Sequence, residues 1–152
     1  MGALSRSAVL GLATGGRATL ALAVPVLAAT RDRRGVGPWL VRAAVRAAVV
    51  GELVGDKLPT TPSRLERPVL VARVGAGAAG ALGLALTEGR PVGRTIAATL
   101  TGAAGAFVGS HAGHAWRGWA AQDGPEWLRP DLRAALAEDA LVLSAAARLT
   151  RG

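Results

Sequence analysis

The stretch from Gly51 to Arg64 reads GELVGDKLPTTPSR, and it places charged residues at the end of an apolar run. Glu52 and Asp56 lie four residues apart, so they share one face of a helix, and Lys57 follows Asp56 directly. Pro59 cannot continue a helix, which therefore should end near this position. The stretch predicts a charged cluster at a helix break, and the rest of the chain is mostly small and apolar.

The composition favours helices that pack closely in a membrane. The chain has 152 residues, enough for one domain, and 51% of them are hydrophobic. Twenty-one residues are Gly, whereas Phe occurs once and Tyr not at all. A water-soluble core of this size usually buries more large side chains, and small residues suit close helix packing in lipid. Without Cys, disulfides and thiolate metal sites are excluded.

The basic residues separate the apolar segments. The net charge of +8 is compatible with nucleic-acid binding. However, the Arg residues lie between apolar runs rather than along one helix face, which favours contact with lipid headgroups. We therefore expect a lipid bilayer as the partner, and no nucleic acid.

The apolar segments predict an all-α membrane bundle of four or five Gly/Ala-rich helices, forming a single membrane-embedded domain over residues 1–152. Arg17 interrupts the first segment, residues 4–29, after two glycines. A secretory signal peptide is the alternative for this segment, but Arg17 divides its apolar core. The other helices are expected at 38–58, at 68–87, across 95–116 and from Asp131 onward.

The segment from Thr95 to Trp116 contains no charged residue and exceeds the roughly 20 residues that span a bilayer. Within it Gly105, Gly109 and Gly113 recur every four residues, a glycine-zipper face that predicts close packing against another helix. Two histidines, 111 and 114, share a helical turn, but no carboxylate is spaced to complete a metal site. We expect no metal and no cofactor.

The last segment carries Glu138 and Asp139 before an apolar stretch shorter than a full span. This helix either spans the membrane, re-enters it or lies on its surface as an amphipathic helix. Its acidic pair resembles in outline the pair formed by Glu52 and Asp56. Helices one and two, and helices four and five, are therefore candidate inverted repeats, a build common among transporters. The alternative is that all Ala/Gly-rich helices look alike.

The motif GELVGDKLP followed by TPSR resembles a family of small bacterial membrane proteins known as domain of unknown function 4126. The resemblance covers most of the chain, and its most specific part is Gly51 to Pro59. It also includes the Glu138-Asp139 pair of the last helix. The resemblance implies a multi-span membrane protein and brings no activity with it.

Charges within membrane helices are costly and usually face a partner or a water-filled cavity. The candidate substrate- or ion-binding residues are Arg17, Glu52, Asp56, Lys57, Glu138 and Asp139. We expect the two acidic pairs to meet, with Arg17 and Lys57 as their counter-charges. The alternative is a structural ion-pair cluster, or charges at headgroup level.

No catalytic motif is present, so we expect a transporter or channel for a small solute or ion, not an enzyme. The expected location is the cytoplasmic membrane, crossed several times. A structural or partner-binding membrane protein that forms homo-oligomers through its glycine faces is the alternative function.

Overall fold

The chain folds entirely into helices. A computed structural model describes residues 1–56, 63 and 65–151. Across these residues it contains no strand and six helices, which are α1 (Ala3–Gly16), α2 (Leu20–Thr30), α3 (Val36–Gly55), α4 (Arg67–Thr87), α5 (Val92–Gln122) and α6 (Asp131–Arg151). The all-α class is therefore confirmed. The predicted count of four or five helices was wrong because the first apolar segment forms two helices instead of one.

Helices α1 and α2 form a hairpin that enters and leaves at the same end of the molecule. Near the start of α1, Arg6 donates to the Leu149 carbonyl at 2.8 Å, and just after α2, Arg31 donates to the Arg151 carbonyl at 3.0 Å. Both ends of the hairpin therefore lie beside the C-terminus of α6. With 14 and 11 residues, α1 and α2 rise only about 21 and 16 Å. At the tip of the hairpin, Arg17 is buried, and Ala18 and Thr19 are half-buried.

Glycine allows α1 to lie directly on α5. A Cβ added at Gly105 would lie 2.8 Å from the Ala8 carbonyl oxygen, and one at Gly109 would overlap the Leu12 carbonyl. These two positions of the predicted glycine face thus pack against another helix of the same chain. Gly113, the third position, is buried as well.

The bundle buries a few charged side chains and exposes many large apolar ones, an arrangement that is uncommon in soluble proteins. Arg17 is only 1% exposed and is among the largest fully buried side chains. In contrast, Leu22, Leu100 and Leu141 are more than half exposed, as are many other large apolar residues. The interior between them consists mainly of Ala, Gly and a few Leu and Val. Large apolar side chains therefore cover the outside of the bundle.

Among the described helices, only α4 is both long and apolar enough to cross a membrane by itself. The charge-free run in α5 is built largely from Gly, Ala, Thr, Ser and His, which contribute little hydropathy. The expected multi-pass topology is thus supported by one helix alone. The first apolar segment, which was expected as one helix, is instead divided at Arg17 into α1 and α2.

The two candidate inverted repeats differ in their first members. The first apolar segment breaks at Arg17, where α1 ends, whereas α5 runs without a break from Val92 to Gln122. What they do share is that their acidic pairs lie near the same point in the interior.

Candidate functional site

The tip of the α1–α2 hairpin meets charged side chains from three other segments. Arg17 comes from the tip, Arg73 from α4, Glu52 and Asp56 from the end of α3, and Glu138 and Asp139 from α6. We call these six residues the charged centre. The folding of the hairpin into the bundle brings together groups that are up to 122 positions apart in the sequence.

Arg17 is the link between the two acidic pairs. Its Nε donates to Oδ1 of Asp139 at 2.8 Å, and its Nη2 pairs with the same carboxylate. Its Nη1 pairs with Asp56. The backbone of Arg17 is extended, with φ −138° and ψ 105°, so its side chain leaves the axis of α1 and reaches both carboxylates. One guanidinium therefore joins the end of α3 to α6.

Glu52 binds the beginning of α2. Its carboxylate accepts hydrogen bonds from the backbone N–H groups of Ala18 and Thr19, at 2.8 and 2.9 Å, and from the Thr19 hydroxyl. The first N–H groups of a helix have no partner within the helix, and the helix dipole favours a negative charge there. Glu52 thus supplies from another helix the anion that this buried helix start requires.

Arg73 performs the opposite role at the end of α1. Its Nη1 donates to the carbonyl oxygens of Gly15 and Gly16, at 3.1 and 3.0 Å. These carbonyls lie at the negative end of the helix dipole, where a cation is stabilising. Nη2 of Arg73 also lies 3.7 Å from Glu52 and 4.0 Å from Asp56. At the tip of the hairpin, the end of α1 and the start of α2 are therefore each paired with a side chain of the complementary charge from a neighbouring helix.

Glu138 lies at the outer edge of the charged centre. Its carboxylate is 4.0 Å from Nη1 of Arg117 in α5, and Arg117 is itself paired with Asp131 nearer the surface. The Glu138 side chain is nevertheless buried, with only 8% of its surface exposed, and Asp139 beside it is buried as well. The centre thus continues from Arg17 toward the gap between α5 and α6.

The ion pairs of the charged centre depend on one another. A buried charge without a partner would cost several kcal/mol, so each acid and each guanidinium is held in place by the others. The same helix ends that Glu52 and Arg73 occupy are suited to bind an anion and a cation respectively. A small ion or polar group can therefore replace one of these side chains without leaving the helix end unsatisfied.

The expectation that the two acidic pairs meet is confirmed, because Arg17 contacts Asp56 and Asp139 together. Arg17 is thus a counter-charge of both pairs, as expected, through one acid of each pair. Lys57 and Pro59 lie outside the described residues.

Sequence reasoning did not assign Arg73 or Thr19 to the site. Arg73 is the only charged residue between Val69 and Thr87 of α4, and this isolation was the available signal. Thr19 offered none, because its role depends on the reversal of the chain after α1.

Among the described residues, no group of three or more His, Asp or Glu side chains is arranged to hold a metal ion. His111 is exposed, with Nδ1 2.9 Å from the Phe107 carbonyl oxygen. The chain matches no protein-family model, no curated protein and no solved structure. The family resemblance therefore remains a prediction, and the functional argument rests on the geometry of the charged centre.

Proposed function

We propose that the protein is an integral membrane protein that passes a small ion or polar solute through the charged centre. The observation that carries this proposal is a broken helical hairpin whose tip meets buried charges from α3, α4 and α6. Irregular backbone at membrane depth is tolerated only where protein or a water-filled cavity surrounds it. Many transporters place their binding sites at such broken helices.

The outward-facing apolar side chains support a membrane location. Leu100 of α5 is 66% exposed, and α2, α3 and α6 also expose Leu or Val residues. Monomeric soluble proteins rarely expose apolar surface on this scale. Lipid would cover these side chains at no cost in hydration, whereas water would have to order around them.

The charges of α6 explain why hydropathy alone does not identify it as a span. Glu138 and Asp139 lower the hydropathy of this helix, yet both face inward and Asp139 is paired with Arg17. The outward positions Leu132, Leu136 and Leu141 are all exposed. With 21 residues, α6 rises about 31 Å, close to the thickness of a bilayer core. A multi-pass arrangement in the cytoplasmic membrane follows as part of the proposal.

The looser contacts of the charged centre indicate where an ion would enter. Arg73 approaches Glu52 and Asp56 only to 3.7 and 4.0 Å, whereas Arg17 makes a direct two-nitrogen pair with Asp139. A small cation that displaced Arg73 would find the α1 carbonyls and the Glu52 carboxylate together. Separation of Arg73 from Glu52 is therefore the step that we assign to ion passage, while the Arg17 pairs hold the framework.

The experiment is ion flux into liposomes that contain the purified protein. Dye-loaded liposomes are challenged separately with gradients of protons, Na⁺, K⁺ and Cl⁻. We expect flux of one of these ions, and its loss in Glu52→Gln. Glu88→Gln is the control, because Glu88 pairs with Arg6 and Arg90 away from the charged centre. Flux that is identical in parent, Glu52→Gln and empty liposomes would reject ion passage through this centre.

A structural or partner-binding role is the second candidate, with α3 rather than the glycine face as its surface. Gly105 and Gly109 are already packed against α1, so they do not offer a surface to a second copy. In α3, by contrast, Val45 is the one buried residue, and a Cβ added at Gly51 would meet nothing within 4 Å. Cross-linking between single cysteines introduced at Val50 in two copies tests this role, and a strictly monomeric protein would exclude homo-oligomers.

A further inference from the structure

We propose that a groove between α1, α5 and α6 binds a lipophilic cation, a ligand with an apolar body and one positive charge, and that Glu138 is its counter-ion. The proposal deepens the proposed function, on which it rests for the membrane setting, by naming a ligand class. The groove has a volume of about 580 Å³. That volume lies within the range of sites for drug-sized ligands.

The walls of the groove are apolar. Val9 and Leu12 of α1 form one side, and Leu141 and Val142 of α6 form the other. Leu12 and Leu141 are exposed, so the groove opens toward the outer surface of the bundle. In a membrane this surface meets the acyl chains, and an apolar ligand would enter from there.

Glycine residues border the groove, and one of them opens it toward Glu138. Gly16, Gly109 and Gly113 all border the groove. A Cβ added at Gly16 would lie 3.5 Å from Oε1 of Glu138 and 3.0 Å from Cγ1 of Val142. The absence of a side chain at Gly16 thus lets the groove extend to the Glu138 carboxylate at the edge of the charged centre.

Two features favour a cation over a neutral ligand. Glu138 is the one ionisable residue among those that line the groove, and its side chain is more than nine-tenths buried. Trp116 also lines the groove, and its Nε1 donates to the Ala134 carbonyl at 3.0 Å, which fixes the indole ring. Aromatic rings attract organic cations, and a buried carboxylate supplies the opposite charge.

Two guanidinium groups compete for this carboxylate. Nη1 of Arg117 lies 4.0 Å from Glu138, and Arg117 is also paired with Asp131. Arg17, which Asp56 and Asp139 hold in place, interacts with Glu138 electrostatically. A cation in the groove would share Glu138 with Arg117, so removal of the Arg117 charge should strengthen binding. The substitutions Glu138→Gln and Arg117→Gln are therefore expected to change the affinity in opposite directions.

The test is equilibrium dialysis of tetraphenylphosphonium against the full-length protein in detergent. Glu138→Gln should weaken binding by about tenfold or more, as expected for the loss of one charged contact, and Arg117→Gln should tighten it. Triphenylphosphine oxide, which is neutral, should bind at least about tenfold more weakly than the cation. Glu88→Gln, remote from the groove, should bind like the parent.

A second variant keeps the test decisive if Glu138→Gln fails to fold. Ala112→Phe fills the groove from its exposed rim and leaves the charged centre intact, so it should abolish binding. Equal binding of the cation and the neutral analogue would identify an acyl-chain groove and overturn the proposal. Unchanged affinity in Glu138→Gln or Ala112→Phe would also overturn it. Because binding in detergent requires no flux, this outcome is separate from failure of ion passage.

Discussion

Replacement of Arg17 by Met should destabilise the protein more than any comparable surface change. Met has similar length and removes the charge, leaving the carboxylates of Asp56 and Asp139 without the guanidinium that joins them. Arg17 is 1% exposed, so water does not substitute for it. Removal of one partner from a buried ion pair costs about 3–5 kcal/mol, and here two carboxylates lose the guanidinium that joins them.

Arg31→Met provides the matched control. Arg31 lies 3.5 Å from Asp32, but their side chains are 53% and 87% exposed. Because exposed pairs contribute less than about 1 kcal/mol, this change should have little effect on the free energy of unfolding. The two Arg→Met substitutions should therefore differ by at least about 2 kcal/mol.

The assay is reversible unfolding in mixed micelles with increasing sodium dodecyl sulfate, followed by far-ultraviolet circular dichroism. A triple variant, Arg17→Met with Asp56→Asn and Asp139→Asn, tests the electrostatic origin of the loss. The triple variant also removes the two negative charges that Arg17→Met leaves without their shared guanidinium, so it should recover more than half of the lost stability. The reasoning would be refuted by equal stability of Arg17→Met and Arg31→Met, or by a triple variant no more stable than Arg17→Met.

Three further predictions follow from the packing and the helix ends. Gly109→Leu should lower the free energy of unfolding by about 1–3 kcal/mol or more in the same assay, because the new side chain would meet the Leu12 backbone. Gly118→Leu is the control, since a side chain there would enter open space and should not lower stability. Equal stabilities of the two variants would show that α1 does not lie on α5. Glu52→Ala should speed hydrogen exchange at the Ala18 and Thr19 amides, measured by mass spectrometry, while unchanged exchange would mean that Glu52 does not hold them. The parent protein should stay in the membrane fraction after washing with alkaline carbonate, and release into the supernatant would contradict the membrane location.

The boundaries of α4 were the most predictable part of the fold. Pro68 and the turn after Thr87 gave α4 to within one residue, because proline and short polar turns act locally. The break at Arg17 was also visible in the sequence. The reversal of direction after it was not, since this depends on the packing of α2 against α4 and of α1 against α5.

The sequence predicted which residues form the charged centre better than it predicted which of them pair with each other. Buried charges require partners, which identified Arg17, Glu52, Asp56, Glu138 and Asp139 as residues that should meet. Helical periodicity, however, describes only the face of a residue on its own helix. Arg73 and the pairing of Arg17 with Asp139 depend on how helices distant in sequence approach each other, and no local pattern encodes that approach.

The proposed membrane location is tested most directly by measuring whether lipid or water surrounds the exposed apolar side chains of the bundle. Because the chain contains no Cys, spin labels can be placed at single cysteines substituted for Leu100 and Leu136, with Glu126 in the α5–α6 loop as the control. In liposomes, we predict that the labels at Leu100 and Leu136 collide with oxygen and are shielded from a water-soluble nickel chelate, and that the Glu126 label shows the reverse. Equal access of the nickel chelate to all three labels would contradict a membrane-embedded charged centre.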